Sequence, residues 1–368
     1  MLLHSSSCHI LRTEVHQFQT FVVGCCLSTV PAWMSLLSVF HFVCFSQISA
    51  TMIYASNMTY QEGWVVVNEM PTHVETWGGW IEDPAIKDSK ELLICVSGNP
   101  GVTEFYSHFL SLIHSTLKIP VWIISHAGHE LPPNALHLKY PTVQDKPELY
   151  DLDGQVTHKV QFIEKYAPEK CDLYFIGHSV GAKIMSDIMK NYPHINSRIK
   201  KCYMLFPTLE HIANAPNAKF FIPMFTYLNR FILFWAWVST LLPGRLRNMI
   251  INGVMYLSHP SGVTDCCLTA TDKLVDPVVV KNVFFLANDE MGKIKDLDTE
   301  TIEKNLSKLR FYFGTTDGWC PVSYYENLRK KCPQADAILC PSNIKHAFVI
   351  SSSHDMADLV SKWIKEDK

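Results

Sequence analysis

The sequence predicts an α/β fold: a mostly parallel, doubly wound sheet with an apolar cap inserted late in the chain. Three observations carry this prediction. Continuous apolar runs begin near residues 92, 121, 173, 202 and 309, the pattern of strands covered on both faces. Helical stretches separate these runs, so successive strands are joined by crossovers and lie parallel. The run at 173–178 passes into helix-forming sequence through a single tight turn, Gly177-His178-Ser179-Val180-Gly181.

In chain order, Val65-Val66-Val67 and Val74-Glu75-Thr76-Trp77 suggest an opening antiparallel ribbon. Leu92-Leu93-Ile94-Cys95-Val96-Ser97 is a buried strand feeding the turn Gly98-Asn99-Pro100-Gly101. The next strand, at 121–124, runs into a loop carrying His126 and His129. After the strands at 173 and 202 come residues 208–305, too long for a simple crossover and the expected place of a cap. Leu309-Arg310-Phe311-Tyr312-Phe313 and Ala337-Ile338-Leu339-Cys340 are the last strands, and a helix ending near Trp363 closes the domain.

Composition narrows the function. The chain has 368 residues, 48% of them hydrophobic, enough for one sizeable core in a single domain spanning residues 58–368. A formal net charge of −3 gives no reason to expect nucleic acid. The 12 cysteines form no C-x-x-C, and Cys95 and Cys202 sit inside apolar runs, so reduced, buried thiols on the cytosolic side are expected.

The G-x-S-x-G motif carries the chemistry. A sharp strand-to-helix turn strains its central residue and leaves no room for side chains on either side, which the flanking glycines satisfy. Ser179 would be presented as a nucleophile, with a helix N-terminus aimed at charge developing beside it. In an α/β-hydrolase the serine is followed in chain order by an acid and then a histidine, each on a loop after a later strand. Asp317 follows the strand at 309–313, and His346 follows the strand at 337–340. Asp289 and Asp336 are the competing acids, with Asp336 ahead of a strand, and His354 is a competing histidine at the start of the last helix. In this scheme His346 takes the serine proton and later returns it to the leaving alcohol, while Asp317 fixes the imidazole tautomer. The oxyanion needs two preset donors. One is the Val180 backbone N–H. The other comes from the 98–101 loop, where Pro100 has no N–H, which leaves Asn99. His126 and His129 lack a third ligand, so neither a metal nor any other cofactor is expected.

Four segments together resemble the lipid droplet-associated hydrolase family: 97–101, 120–129, 177–181 and 314–321. The resemblance covers roughly residues 60–366 and implies an α/β-hydrolase-fold serine esterase acting on sterol and other lipid esters. It also implies Ser179, Asp317 and His346 as the triad. Two departures stand out. Gly318 follows the acid where relatives usually carry proline. The first 57 residues are unlike the short polar start of family members.

Two segments bear on membranes. Residues 220–242 are long and apolar enough to span a bilayer, but Pro223, Asn229 and Arg230 argue against a straight span. A droplet monolayer has oil behind it, so a segment there must lie in the interface or turn back as a hairpin. Lys219, Arg245 and Arg247 would then sit among headgroups with the tryptophans at the boundary. A buried cap helix is the alternative. Residues 1–57 form an apolar extension: either a membrane segment around 18–45, or an upstream extension with Met58 as an internal start. Asn57-Met58-Thr59 is a glycosylation sequon usable only in a lumenal setting.

The expected function is hydrolysis of carboxylic esters of apolar lipids at the cytosolic face of the lipid droplet or endoplasmic reticulum. Alternatives are a droplet-surface organising protein with little turnover, or a lipid acyltransferase or thioesterase sharing the acyl-enzyme.

Overall fold

The computed structural model describes residues 60–259 and 262–368. The expectations for residues 1–57, for the Asn57 sequon and for Met58 lie outside the described residues.

Eight strands form one sheet in the order β1-β2-β4-β3-β5-β6-β7-β8. They are β1 (Tyr60–Val67), β2 (Met70–Trp77), β3 (Glu91–Val96), β4 (Val121–Ile124), β5 (Asp172–His178), β6 (Ile199–Leu205), β7 (Leu309–Phe313) and β8 (Asp336–Leu339). The β1–β2 hairpin is antiparallel and joins the sheet antiparallel to β4; every other pairing is parallel. The expected opening ribbon is therefore present, although β2 starts four residues earlier than its apolar stretch suggested. Asp336 is a further difference. It begins β8 instead of preceding it, and it is held by Arg310 Nε at 2.6 Å across the β7–β8 register.

Alternation along β3 shows why the strands read as unbroken apolar runs. Leu92, Ile94 and Val96 enter one core layer, while Leu93 and Cys95 enter the other. The helices covering the sheet are α1 (Glu104–Leu117), α2 (Leu152–Tyr166) and α3 (Val180–Asn191). α2 and α3 pack on the first face through Val160, Ile163, Ile184 and Ile188. α1 covers the second through Phe105, Phe109 and Ile113. With parallel strands covered on both sides, the carboxyl ends of β3, β5, β7 and β8 deliver their loops to one edge, where ligands bind in open α/β sheets.

Between β6 and β7 the chain is helical: α4 (Pro216–Pro223), a π turn at Met224–Leu228, α5 (Asn229–Thr240), α6 (Gly244–Ser258), α7 (Asp265–Leu274) and α8 (Pro277–Lys293) are the main elements. Pro223 has no N–H to donate, and the helix widens into the π turn directly after it. Pro216–Thr240 is nonetheless long and apolar enough to cross a membrane by length and composition. Its root is anchored: Phe221, Met224, Phe225 and Ala287 form a small buried cluster, with Phe221 stacked on Trp319 at 5.4 Å and Phe225 against Phe284 at 4.7 Å. Beyond the root one row of apolar side chains faces outward, from Tyr227 at 81% exposure through Phe231, Phe234, Trp237 and Leu241 to Met249, Ile250 and Leu257 on α6, while Ala236, Ile251 and Met255 turn inward. After β7 follow α9 (Val322–Lys331) and, closing the domain, α10 (Ser353–Glu366).

Candidate active site

The turn between β5 and α3 is built by exclusion of side chains. A Cβ on Gly181 would lie 2.1 Å from the Val96 carbonyl oxygen, and one on Gly177 would lie 2.9 Å from the Ala182 Cα. Only glycine lets the helix close on the strand so tightly. Ser179 then adopts φ 54° and ψ −122°, a conformation an L-residue holds only when its surroundings enforce it. The enforcement is visible: Ser179 N–H donates to the Leu205 carbonyl at 3.1 Å, and the Ser179 carbonyl accepts from Ala182 and Thr208.

His346, in the loop after β8, lies with Nε2 2.9 Å from Ser179 Oγ and Nδ1 2.7 Å from Asp317 Oδ2. A carboxylate can only accept, so the proton is on Nδ1 and Nε2 is the lone pair facing the hydroxyl. Asp317 is buried, and its other oxygen accepts from the Trp319 and Cys320 N–H groups at 2.7 and 3.1 Å. Burial by itself would raise its pKa, but His346 and these two N–H groups outweigh it and hold the carboxyl below its ordinary value. Asp317 is thus the anionic end of the line.

The loop after β3 lies against the serine, since a Cβ on Gly98 would sit 2.9 Å from the Ser179 Cβ. Val180 begins α3, so its N–H has no intrahelical partner. Asn99 N–H has no protein acceptor among the described residues.

Little in the sequence points to what braces these loops. Gly98 N–H donates to Tyr106 Oη at 2.9 Å, and Tyr106 Oη lies 2.6 Å from His178 Nδ1. His178 Nε2 is 3.0 Å from the His346 carbonyl, which can only accept. The His178 proton is therefore on Nε2, and Tyr106 donates to Nδ1. Burial, followed by repulsion from His346 when that ring is protonated, pushes the His178 pKa down to about 3, so the ring stays neutral. Phe206 and Phe348 complete an apolar wall around both imidazoles, with Phe206 5.9 Å from the His346 ring. The only signal available in sequence was the identity of the residue before the serine.

The competing residues are elsewhere. Asp289 accepts from Leu152 N–H at 2.8 Å and pairs with Lys293 at 3.0 Å. Asp336 is spent on Arg310, and His354 packs edge-on against His108. His126 and His129 are buried with ring centroids 5.4 Å apart, and Gly101 N–H donates to His129 Nδ1 at 3.1 Å. Asp317, Cys320 and His346 bring ligand atoms within 4.8 Å of one another, but the Cys320 thiol is held protonated by burial and donates to the Phe206 carbonyl. Glu62, His73 and Glu104 converge similarly, yet the Lys273 ammonium already lies on Glu104.

The sheet order, the strained serine between strand and helix, and the loops gathered at the carboxyl edge define an α/β-hydrolase. A serine hydrolase from Cycloclasticus zankles shares this fold with a TM-score of 0.52 at 13% identity, over 83% of this chain and 98% of that one. The family described as Lipid-droplet associated hydrolase matches residues 89–349. The Lipid droplet-associated hydrolase of Drosophila melanogaster is 41% identical over 314 residues, 84% of this chain and 99% of that protein. The rat protein of the same name is 36% identical over 298 residues, 78% of this chain and 89% of its own. The chain belongs to the lipid droplet-associated hydrolase family, as its four motif segments implied, and it is a hydrolase.

Proposed function

We propose that the protein cleaves carboxylic esters of apolar lipids, sterol esters among them, through Ser179, His346 and Asp317. The observation that carries this reading is the hydrogen-bonded line from Asp317 Oδ2 through His346 to Ser179 Oγ, with steps of 2.7 and 2.9 Å. His346 Nε2 takes the hydroxyl proton as Oγ attacks the ester carbonyl. The Asn99 and Val180 N–H groups receive the oxyanion. The imidazolium, stabilised by Asp317, gives its proton to the departing alcohol. Water, deprotonated by His346, then cleaves the acyl-enzyme to free acid and serine.

The outward apolar residues of α5 and α6 support action at a lipid surface, with residues 220–242 lying in a droplet monolayer or the cytosolic leaflet of the endoplasmic reticulum. Core thiols such as Cys95 and Cys202 suit a reducing, cytosol-facing location. The names of the relatives agree with droplet association. That same surface favours a second reading, a droplet-organising protein in which turnover is incidental. Lipid profiling of cells expressing wild type or Ser179→Ala separates the two. Hydrolysis predicts lipid esters that accumulate only with the variant; identical profiles with an equal effect on droplet size would favour the organising role.

A further inference from the structure

We infer that Glu290 is a positioning residue for the oxyanion loop: from the insertion helix α8 its carboxyl holds the Asn99 side chain and thereby sets the Asn99 backbone N–H beside Ser179. The inference rests on the triad reading above and adds to it a residue from outside the hydrolase motifs.

Asn99 Nδ2 donates to Glu290 Oε1 at 3.0 Å and to the Val283 carbonyl at 3.1 Å. The Val283 carbonyl can only accept, so the amide faces the pair with its NH2 group, and Glu290 Oε1 accepts its other hydrogen. The rest of the loop is pinned from below. Gly98 N–H is held by Tyr106 and Gly101 N–H by His129 Nδ1, and Gly101 lies so close on His126 that a Cβ would come within 2.2 Å of its ring. Among the described residues, Asn99 is the one residue of the loop hydrogen-bonded from the insertion.

The grip comes from a fixed element. Asn282 Nδ2 on α8 donates to the Gly128 carbonyl at 2.7 Å, Asp289 accepts from Leu152 N–H, and Lys293 bridges to Asp151 and Asp153 on the body. Glu290 is 4% exposed, and no cation pairs with it among the described residues. A buried, unpaired carboxyl is a poor choice for stability alone. Burial raises its pKa to about 8, against the lowering effect of the Asn99 bond. It is therefore largely uncharged at neutral pH, and places no full negative charge next to the site where the oxyanion forms.

The test compares wild type with Glu290→Leu, Glu290→Ala and Glu290→Gln. Thermal melts confirm folding, and the readouts are kcat and KM on p-nitrophenyl butyrate and the rate of fluorophosphonate labelling. Loss of the acceptor in the Leu and Ala variants is expected to lower kcat and the labelling rate by about 10- to 100-fold, approaching the cost of deleting an oxyanion donor, with KM within about twofold. Gln retains an acceptor oxygen and is expected within about threefold of wild type. Wild-type kcat in a folded Leu or Ala variant overturns the inference, as does a loss confined to KM or a Gln variant as slow as Leu. Ser179→Ala is the control: full activity there sinks the triad reading itself, whereas an inactive control beside an unaffected Leu variant overturns only the role of Glu290.

Discussion

The carboxyl edge of the sheet and the helical insertion between β6 and β7 solve opposite problems. At the edge every atom is constrained: two glycines admit no Cβ, Ser179 is strained, and each imidazole nitrogen of His178 and His346 has one partner. The insertion is anchored at its root, where Phe221, Met224 and Phe225 are buried, and along α8, while its far side leaves large aromatic side chains in contact with solvent. Precise geometry suits charge stabilisation in a transition state, which loses force with small displacements. An apolar exterior suits a partner without defined shape, such as a lipid surface. The two regions meet at Phe221 on Trp319, beside the acid loop, and at Glu290 on Asn99, beside the oxyanion loop.

Four variants probe this division. The largest effect is expected at the edge: Asp317→Asn should fold normally and lose about three to four orders of magnitude in kcat, because the imidazole is left in the wrong tautomer. Near-normal activity there, with Asp289→Asn inactive, would move the acid to Asp289. At the insertion root, Phe225→Ala removes a side chain 7% exposed and should cost about 3 kcal/mol, measured by denaturant unfolding. An unchanged stability would show that the root is not packed against the body. On the outer face, Phe234→Asp with Trp237→Asp should release the protein from droplets in fractionated cells while leaving hydrolysis of a soluble ester within about twofold, since each charge costs several kcal/mol in an apolar layer. Retention on droplets at wild-type levels would return the segment to the role of a cap and shift the search for an anchor to residues 1–57. The smallest effect is expected for Phe234→Ala in solution, where a residue already 52% exposed should change stability by less than about 1 kcal/mol. A loss comparable to Phe225→Ala would mean that this face is covered within the folded protein.

The same contrast governs what was legible from sequence. The succession of strands along the chain, the elbow and the positions of Asp317 and His346 could be read because each depends on short local patterns arranged in a known chain order. Asn99 and Glu290 are 191 residues apart, and nothing local in either predicts the bond between them. The Tyr106–His178 link spans 72 residues and is equally silent. In the insertion, the apolar run at 220–242 gave length and hydropathy but not direction. Which residues turn inward depends on the π turn after Pro223 and on docking partners such as Phe284 and Trp319, which come later in the chain. The early start of β2 was hidden because Pro71, Thr72 and His73 do not form an apolar run, yet they are buried in the hairpin's inner strand, between β1 and β4.

Everything proposed for this site requires Ser179 to be a nucleophile activated by His346. Treating wild type, Ser179→Ala and His346→Ala with a fluorophosphonate at neutral pH and mapping the adduct by peptide mass spectrometry tests it directly. A single adduct on Ser179 is expected in wild type and none in either variant. An adduct on another residue, or efficient labelling of Ser179 in His346→Ala, would contradict it.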